Sequence, residues 1–299
     1  MSLYSQVLFS ENYCIAQRDN AASELKRLKT EFEKADAVLV GAGAGLSTAA
    51  GLTYSGKRFE ENFADFKEAF SITDMYSGGF YPFPDLETYW AWWSRHIWIN
   101  RYEPGATALY QELFSLIQDK NYFVLTSNVD HQFQLAGFDK TRLFYTQGDY
   151  ELFQCSKPCL QETYDNKDQI KAMIDEQKNL RIPTELIPMC PHCGAPLVPN
   201  LRTDNTFVED EGWHAAQNRY QTFLSEHAHD RILYLELGVG ANTPVIIKYP
   251  FWQMTLDNPQ ATYACLNLGE SFAPQALKER SILVNVDIAK ALQCLQRAS

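Results

Sequence analysis

A surplus of positive charge is absent. In 299 residues, 26 Lys and Arg face 37 Asp and Glu, a formal net charge of −11 at pH 7. Nucleic acid and anionic membrane surfaces both attract a basic face, so this balance argues against either as a partner. Long apolar runs are absent too: none approaches the roughly 18–20 residues that cross a bilayer. The start, Met1 to Asn20, is polar and mixed, unlike an export signal. There is no internal repeat and no low-complexity tract. The seven cysteines are an odd number, and four of them sit in two close pairs, which suits metal or redox chemistry better than a disulfide framework. These absences lead us to expect a soluble, cytoplasmic protein.

What is present is ordinary globular chemistry, 45% hydrophobic and 21% charged, in a chain long enough for one large or two modest domains. Residues 19–35 place Leu25, Leu28 and Phe32 at helical spacing among charges. Short apolar runs follow at Asp36–Gly41, Tyr122–Thr126, Leu143–Thr146, Ile232–Leu237, Thr262–Leu266 and Ile282–Val286, most bounded by Gly, Asn, Asp or Pro. Runs apolar throughout suit parallel strands covered on both faces. Helical patterns between them, such as Thr107–Lys120 and Asp287–Gln296, predict an α/β fold with a doubly wound, Rossmann-like parallel sheet.

Two stretches break the alternation. Residues 53–103 are rich in aromatics, with Trp90 and Trp93 on one helical face and Ile97 a turn beyond. They form a helical insert that packs on itself, or a lid over a ligand. Residues 149–199 hold Cys155-x3-Cys159 and Cys190-x2-Cys193, with Gly194 after the second pair. Four thiolates in two short-spaced pairs suit a closed tetrahedral zinc site, structural rather than catalytic because no position is left for water. An iron–sulfur cluster is the alternative, and His192 is expected to point away. The organisation expected is therefore 1–148 with 200–299 as a dinucleotide-binding domain, 53–103 as its insert, and 149–199 as a small zinc module.

Residues 38–52 read as strand, glycine turn and helix start, with Gly41, Gly43 and Gly45 evenly spaced before Ser47 and Thr48. Glycines let backbone approach a pyrophosphate, and a helix N-terminus offers N–H groups to it. The spacing departs from G-x-G-x-x-G, and no acidic residue ends a second strand about 20 residues on. A hydride-transfer dehydrogenase is thus poorly supported. At the end of the next apolar run stand Thr126, Ser127, Asn128, Val129 and Asp130. Asn offers donor and acceptor and Asp a fixed charge, a pair able to hold a carboxamide and a ribose. Strand-end capping explains the same residues.

In sequence order these motifs resemble the sirtuin family over residues 36–295. Gly43, Ala44, Gly45, Ser47, Gly51 and Leu52 match the sirtuin G-A-G-x-S-x-x-S/A-G-I. Ser127, Asn128, Val129 and Asp130 resemble Q-N-I-D. Gln147 and Gly148 fall at the family's catalytic His-Gly. Gly238, Val239 and Gly240 resemble G-T-S, and Asn267 resembles a late Asn that contacts adenosine. The resemblance implies NAD bound by these residues, with Asn128, Asp130 and Gln147 catalytic.

The departures matter equally. Leu52-Thr53-Tyr54-Ser55-Gly56 replaces I-P-D-F-R, Gln147 replaces histidine, and Pro199 to Asp204 replaces the V-x-F-G-E segment beside an acyl-lysine tunnel. An imidazole can take a proton near neutral pH, whereas a carboxamide only orients and hydrogen-bonds. Glycosidic cleavage to an oxocarbenium-like ribose would survive and acyl hydrolysis would not. The departures resemble the macrodomain-linked sirtuin class. That implies protein mono-ADP-ribosyl transfer to a lipoylated, glycine-cleavage-H-like carrier protein, with a macrodomain hydrolase as functional partner. A deacylase with another base, His131 or Asp149, and a non-catalytic NAD-binding module are the alternatives. Neighbouring side chains in a strand-end turn are expected to diverge, which disfavours His131 and Asp149. Arg202 is a weaker candidate for gripping an acidic target or lipoate, and a surface salt bridge is the role expected of it.

Overall fold

The computed structural model describes residues 13–240 and 244–297; residues 1–12, within the polar start considered above, lie outside the described residues. The chain opens with β1 (Tyr13–Ile15), helix Ala21–Lys34, β2 (Ala37–Ala42) and helix Ala44–Ala49. Helices Lys57–Phe70, Met75–Gly79, Leu86–Ile97 and Ala108–Ile117 lead to β3 (Tyr122–Thr126) and β4 (Leu143–Tyr145). Then come β5 (Gly148–Cys155), β6 (Thr163–Asp165), helix Lys167–Glu176 and β7 (Leu197–Leu201). Helix Glu211–Glu226, β8 (Ile232–Leu237), helix Lys248–Asp257, β9 (Thr262–Leu266), β10 (Phe272–Pro274), β11 (Ser281–Val284) and helix Ile288–Arg297 complete it.

Six strands form one sheet in the order β11-β9-β8-β2-β3-β4, every pair parallel. Its strands read as unbroken apolar runs because both faces are covered. Along β2, Val38, Val40 and Ala42 face one cluster with Leu28, Leu113 and Leu292, while Ala37 and Leu39 face another with Tyr220, Phe251 and Trp252. The period of two survives in direction but not in polarity. Strand β2 begins one residue later than expected: the Asp36 carboxylate turns outward to Arg231, with Oδ1 3.0 Å from Nη2.

The chain leaves β2 for β3 on one side and returns later to β8 on the other. The strand order reverses there, and the crevice beyond the C-terminal ends of β2 and β8 is where such sheets bind ligands. The glycines, serines and asparagines proposed for NAD lie at that end, Gly45 and Ser47 on helix Ala44–Ala49 and the others on loops.

The insert and the cysteine-bearing segment share a core. Phe59, Phe63, Trp90, Trp92 and Ile97 belong to the same cluster as Phe153, Ile170, Met173 and Leu197, apart from the clusters flanking the large sheet. Strands β6, β5 and β7 form a separate antiparallel sheet within this region. Helix Leu86–Ile97 starts where Asp85 accepts from Thr88 N at 2.8 Å, an N-cap. Trp90 and Trp92 are fully buried, so they build this core and do not form a ligand wall.

Candidate active site

The glycine turn closes against a second loop. A Cβ on Gly43 would stand 2.8 Å from Gly238 O and from Val239 Cα, and one on Gly45 2.7 Å from Gly238 Cα and O. The Gly45 N–H is given to Gly238 O at 2.9 Å, and that of Gly43 to Leu237 O at 3.0 Å. The close approach these glycines permit is therefore to backbone 238–239, and the N–H of Gly45 is not free for a phosphate. The Val239 side chain is wholly buried, and Leu52 is buried too. Ala44 is exposed, and Gly51, at φ 92°, faces open space. Asn267 braces the same turn, donating Nδ2 to Val239 O at 3.1 Å.

Strand β3 delivers the second group. Asn128 donates Nδ2 to Gly43 O at 3.0 Å and to the Tyr110 hydroxyl at 3.2 Å. Ser47 and Tyr110 hydroxyls are 3.0 Å apart, and Ser47 donates to Asp130 Oδ2 at 2.5 Å. Asp130 Oδ1 accepts from Gln132 N at 3.1 Å. Burial outweighs these hydrogen bonds and raises the Asp130 carboxyl above the usual range, with the nearby Asp149 charge adding to the rise. Burial also holds the Tyr110 phenol neutral, well above its ordinary value. Tyr110 lies on an amphipathic helix at a position that reads as core, so the sequence carries no signal of its role.

Gln147 lies between β4 and β5, its carbonyl accepting from Arg202 N at 3.0 Å. Its side chain makes no hydrogen bond among the described residues, and neither does that of Ser127. It lines an open groove of about 500 Å³ with Thr146, Arg202, Trp213, Val245 and Ile246. Arg202 lies over the Phe207 ring at 4.1 Å and pairs with Glu209 at 2.5 Å. Ser127 and Gln147 thus keep polar side chains without protein partners among the described residues, while those of Asn128 and Asp130 at the end of β3 are engaged.

His131 turns away from its neighbour Asp130, which faces Ser47, and meets Asp149. Val129 O accepts from Tyr150 N at 3.0 Å, which aligns their two turns. His131, at φ 63°, brings Nδ1 to 2.6 Å from Asp149 Oδ2. Glu151 Oε2 lies 3.4 Å from the same nitrogen and 2.9 Å from Arg101 Nη2. The three acidic and imidazole groups are close enough for a cation, but Arg101 already supplies the positive charge.

Cys155, Cys159, Cys190 and Cys193 converge, their sulfurs all within 4.8 Å. Cys155 and Cys193 sulfurs are 3.5 Å apart, as are those of Cys159 and Cys190. A tetrahedron with Zn–S near 2.3 Å has edges of about 3.8 Å, so the donors fit zinc. The knuckle is closed by Gly194 N to Cys190 O at 2.9 Å, with Gly194 at φ 69°. Backbone N–H groups of Cys193 and His192 pull the Cys190 thiol down to about 6, toward the thiolate a metal takes. His192 pairs outward with Glu162 at 3.1 Å.

No protein-family model matches the chain. It is 40% identical over 272 residues to the protein ADP-ribosyltransferase of Staphylococcus aureus strain Mu50, covering 91% of this chain and 86% of that one. It is 32% identical over 268 residues to a probable bifunctional ADP-ribose hydrolase/ADP-ribosyltransferase of Fusarium oxysporum f. sp. cubense, covering 83% of this chain and 43% of that one. Among solved structures, Sir2Tm bound to a propionylated peptide superposes with TM-score 0.58 at 17% identity, over 92% of this chain and 98% of that one. A Sir2 complex with a p53 peptide and NAD+ does so with TM-score 0.57 at 17% identity, over the same 92% and 98%. The shared architecture is the sirtuin fold, and on the strength of the staphylococcal relative the chain belongs to the protein ADP-ribosyltransferases built on it.

Proposed function

We propose that this chain is an NAD-dependent protein mono-ADP-ribosyltransferase acting on a lipoylated carrier protein. The observation that carries the reading is the Gln147 side chain, an amide with no partner among the described residues, on the wall of an open groove. An amide at this place orients a ribose hydroxyl or an incoming nucleophile but takes no proton from it at neutral pH. Bound NAD supplies an activated ribose, whose bond to nicotinamide breaks as the acceptor bond forms. Asn128 positions that ribose, held in place by Gly43 O and Tyr110. Asp130 supplies negative charge beside the nicotinamide and the sugar carbon that becomes electron-poor. Gly43, Ala44, Gly45, Gly51, Ser127, Gly238, Gly240 and Asn267 line the dinucleotide, most of them through backbone.

The groove beside Gln147 suits a lipoyl arm. Trp213, Val245 and Ile246 offer apolar wall to the chain of methylenes, beside an Arg202 whose charge Glu209 already meets. The Fusarium relative's name joins an ADP-ribose hydrolase to a transferase, which supports a hydrolase as functional partner. The four cysteines hold structural zinc. Among the described residues no helix is long and apolar enough to cross a membrane, in keeping with the cytoplasmic location we propose.

The test is mass spectrometry of a lipoylated carrier protein after incubation with the full chain and NAD. A gain of one ADP-ribose that requires lipoate is expected; gain on the unlipoylated carrier, or none on either, overturns the substrate assignment. The His131–Asp149 pair favours a second reading, deacylation with that imidazole as base. Stoichiometric loss of acyl groups from acyl-lysine peptides with NAD would establish it.

A further inference from the structure

The segment Leu52 to Gly56, where the sequence departs from sirtuins, carries a phenol that the reading above leaves without a task. The Tyr54 hydroxyl is 2.7 Å from the Tyr150 hydroxyl, which is 2.8 Å from His96 Nε2. The segment is held firmly. Arg58 donates to Thr53 O at 3.0 Å, and Tyr54 O accepts from Met75 N at 2.8 Å. Both phenols are tied to the Ser47–Asp130 pair through backbone: Leu52 N donates to Ser47 O at 2.9 Å and Tyr150 N to Val129 O at 3.0 Å.

The direction of this chain of hydrogen bonds follows from its buried end. Burial, helped by the Arg58 charge, brings the His96 imidazole down to about 3, so it is neutral and carries one proton. Its Nδ1 is buried with no partner. A proton there would be a buried donor without an acceptor, a rarer and costlier state than a bare lone pair. The proton therefore sits on Nε2 and is donated to Tyr150. Tyr150, accepting from His96, donates to Tyr54. Tyr54, accepting from Tyr150, has its own proton left to give, and makes no further hydrogen bond among the described residues.

We propose that Tyr54 is a ligand-binding residue of the nicotinamide subsite, donating its hydroxyl to the carboxamide oxygen while Asp130 accepts from the carboxamide nitrogen, with Tyr150 and His96 as positioning residues. The proposal rests on the NAD reading above and deepens it. A carboxamide presents one acceptor and one donor group, and this pair complements both. Nicotinic acid would set a carboxylate against Asp130, and a thioamide would offer Tyr54 a poor acceptor.

The experiment measures binding of NAD and of thionicotinamide adenine dinucleotide to the full chain by calorimetry, alongside nicotinamide release. Wild type should favour NAD over the thio analogue. Tyr54→Phe should weaken NAD roughly fivefold and abolish most of that preference, with the thermal transition retained. Tyr150→Phe, which removes the donor to Tyr54 but leaves the phenol, should produce a smaller loss of the same preference. An unchanged preference in Tyr54→Phe overturns the assignment even if nicotinamide is released normally. Absence of nicotinamide release from wild type, with the preference and its loss both observed, would instead count against the transferase reading.

Discussion

Ser47 donates its hydroxyl to Asp130 across 2.5 Å, and both side chains are buried. One residue belongs to the helix after the glycine turn and the other to the turn after β3, so the bond ties the cofactor loop to the acid. Ser47 was expected from its motif to touch the dinucleotide, yet its hydroxyl is engaged with Asp130 and Tyr110. Its place in the site is through these partners.

Asp130→Asn should separate stability from activity. The folded carboxyl titrates above the ordinary 3.8, so the folded chain holds that proton more tightly than the unfolded one. The favourable contribution is full below the unfolded pKa and is lost as pH rises through the raised folded value. An amide does not titrate, so Asp130→Asn should be free of that pH-dependent loss. The variant should melt about 2 °C or more above wild type at pH 7, with the gap closing as pH falls toward 4. Transfer should drop roughly 100-fold. Melting curves across this range, with a transfer assay, check both.

Asn128→Ala and Gln147→Ala should each lower ADP-ribosyl transfer by about 10²-fold or more while circular dichroism and melting stay near wild type. Gln147→His is the informative companion: it restores a titratable base at the groove. Wild-type rates in both alanine variants would remove these residues from the mechanism.

Gly45→Ala places a methyl group 2.7 Å from the Gly238 Cα and carbonyl, backbone that has nowhere to move without shifting the adjoining turn. Overpacking of this kind costs about 1–3 kcal/mol. Denaturant unfolding should show that loss, together with weaker NAD binding by calorimetry.

Metal analysis should find one zinc per chain. Cys190→Ser, or prolonged chelation, should remove it and lower the melting temperature, because metal binding is coupled to folding. Cys294→Ser, at an exposed cysteine outside the cluster, is the control and should do neither.

Strands β3, β8 and β9 were legible to the residue because both faces are buried and the apolar run has clear ends. The cysteine cluster was legible because its geometry is local: each pair closes within one knuckle. The contact between His131 and Asp149 was not legible. Their pairing depends on how the turn after β3 lies beside the start of β5, and spacing along the chain carries no trace of that. Tyr110 and Tyr54 were silent for a similar reason. An aromatic at an apolar helical position, or in a loop, looks the same whether its hydroxyl meets a carboxylate or water.

Read alone, the order of residues was enough for the class of sheet and for the four cysteines that come together. Each of these is a local pattern or a single side-chain type, and local patterns are written directly in the chain. Folding in three dimensions settled what each polar group faces: Gly43 and Gly45 against Gly238, Ser47 on Asp130, Tyr54 on Tyr150. Those contacts join segments tens of residues apart, and a hydrogen bond forms only where packing brings a donor and an acceptor into line.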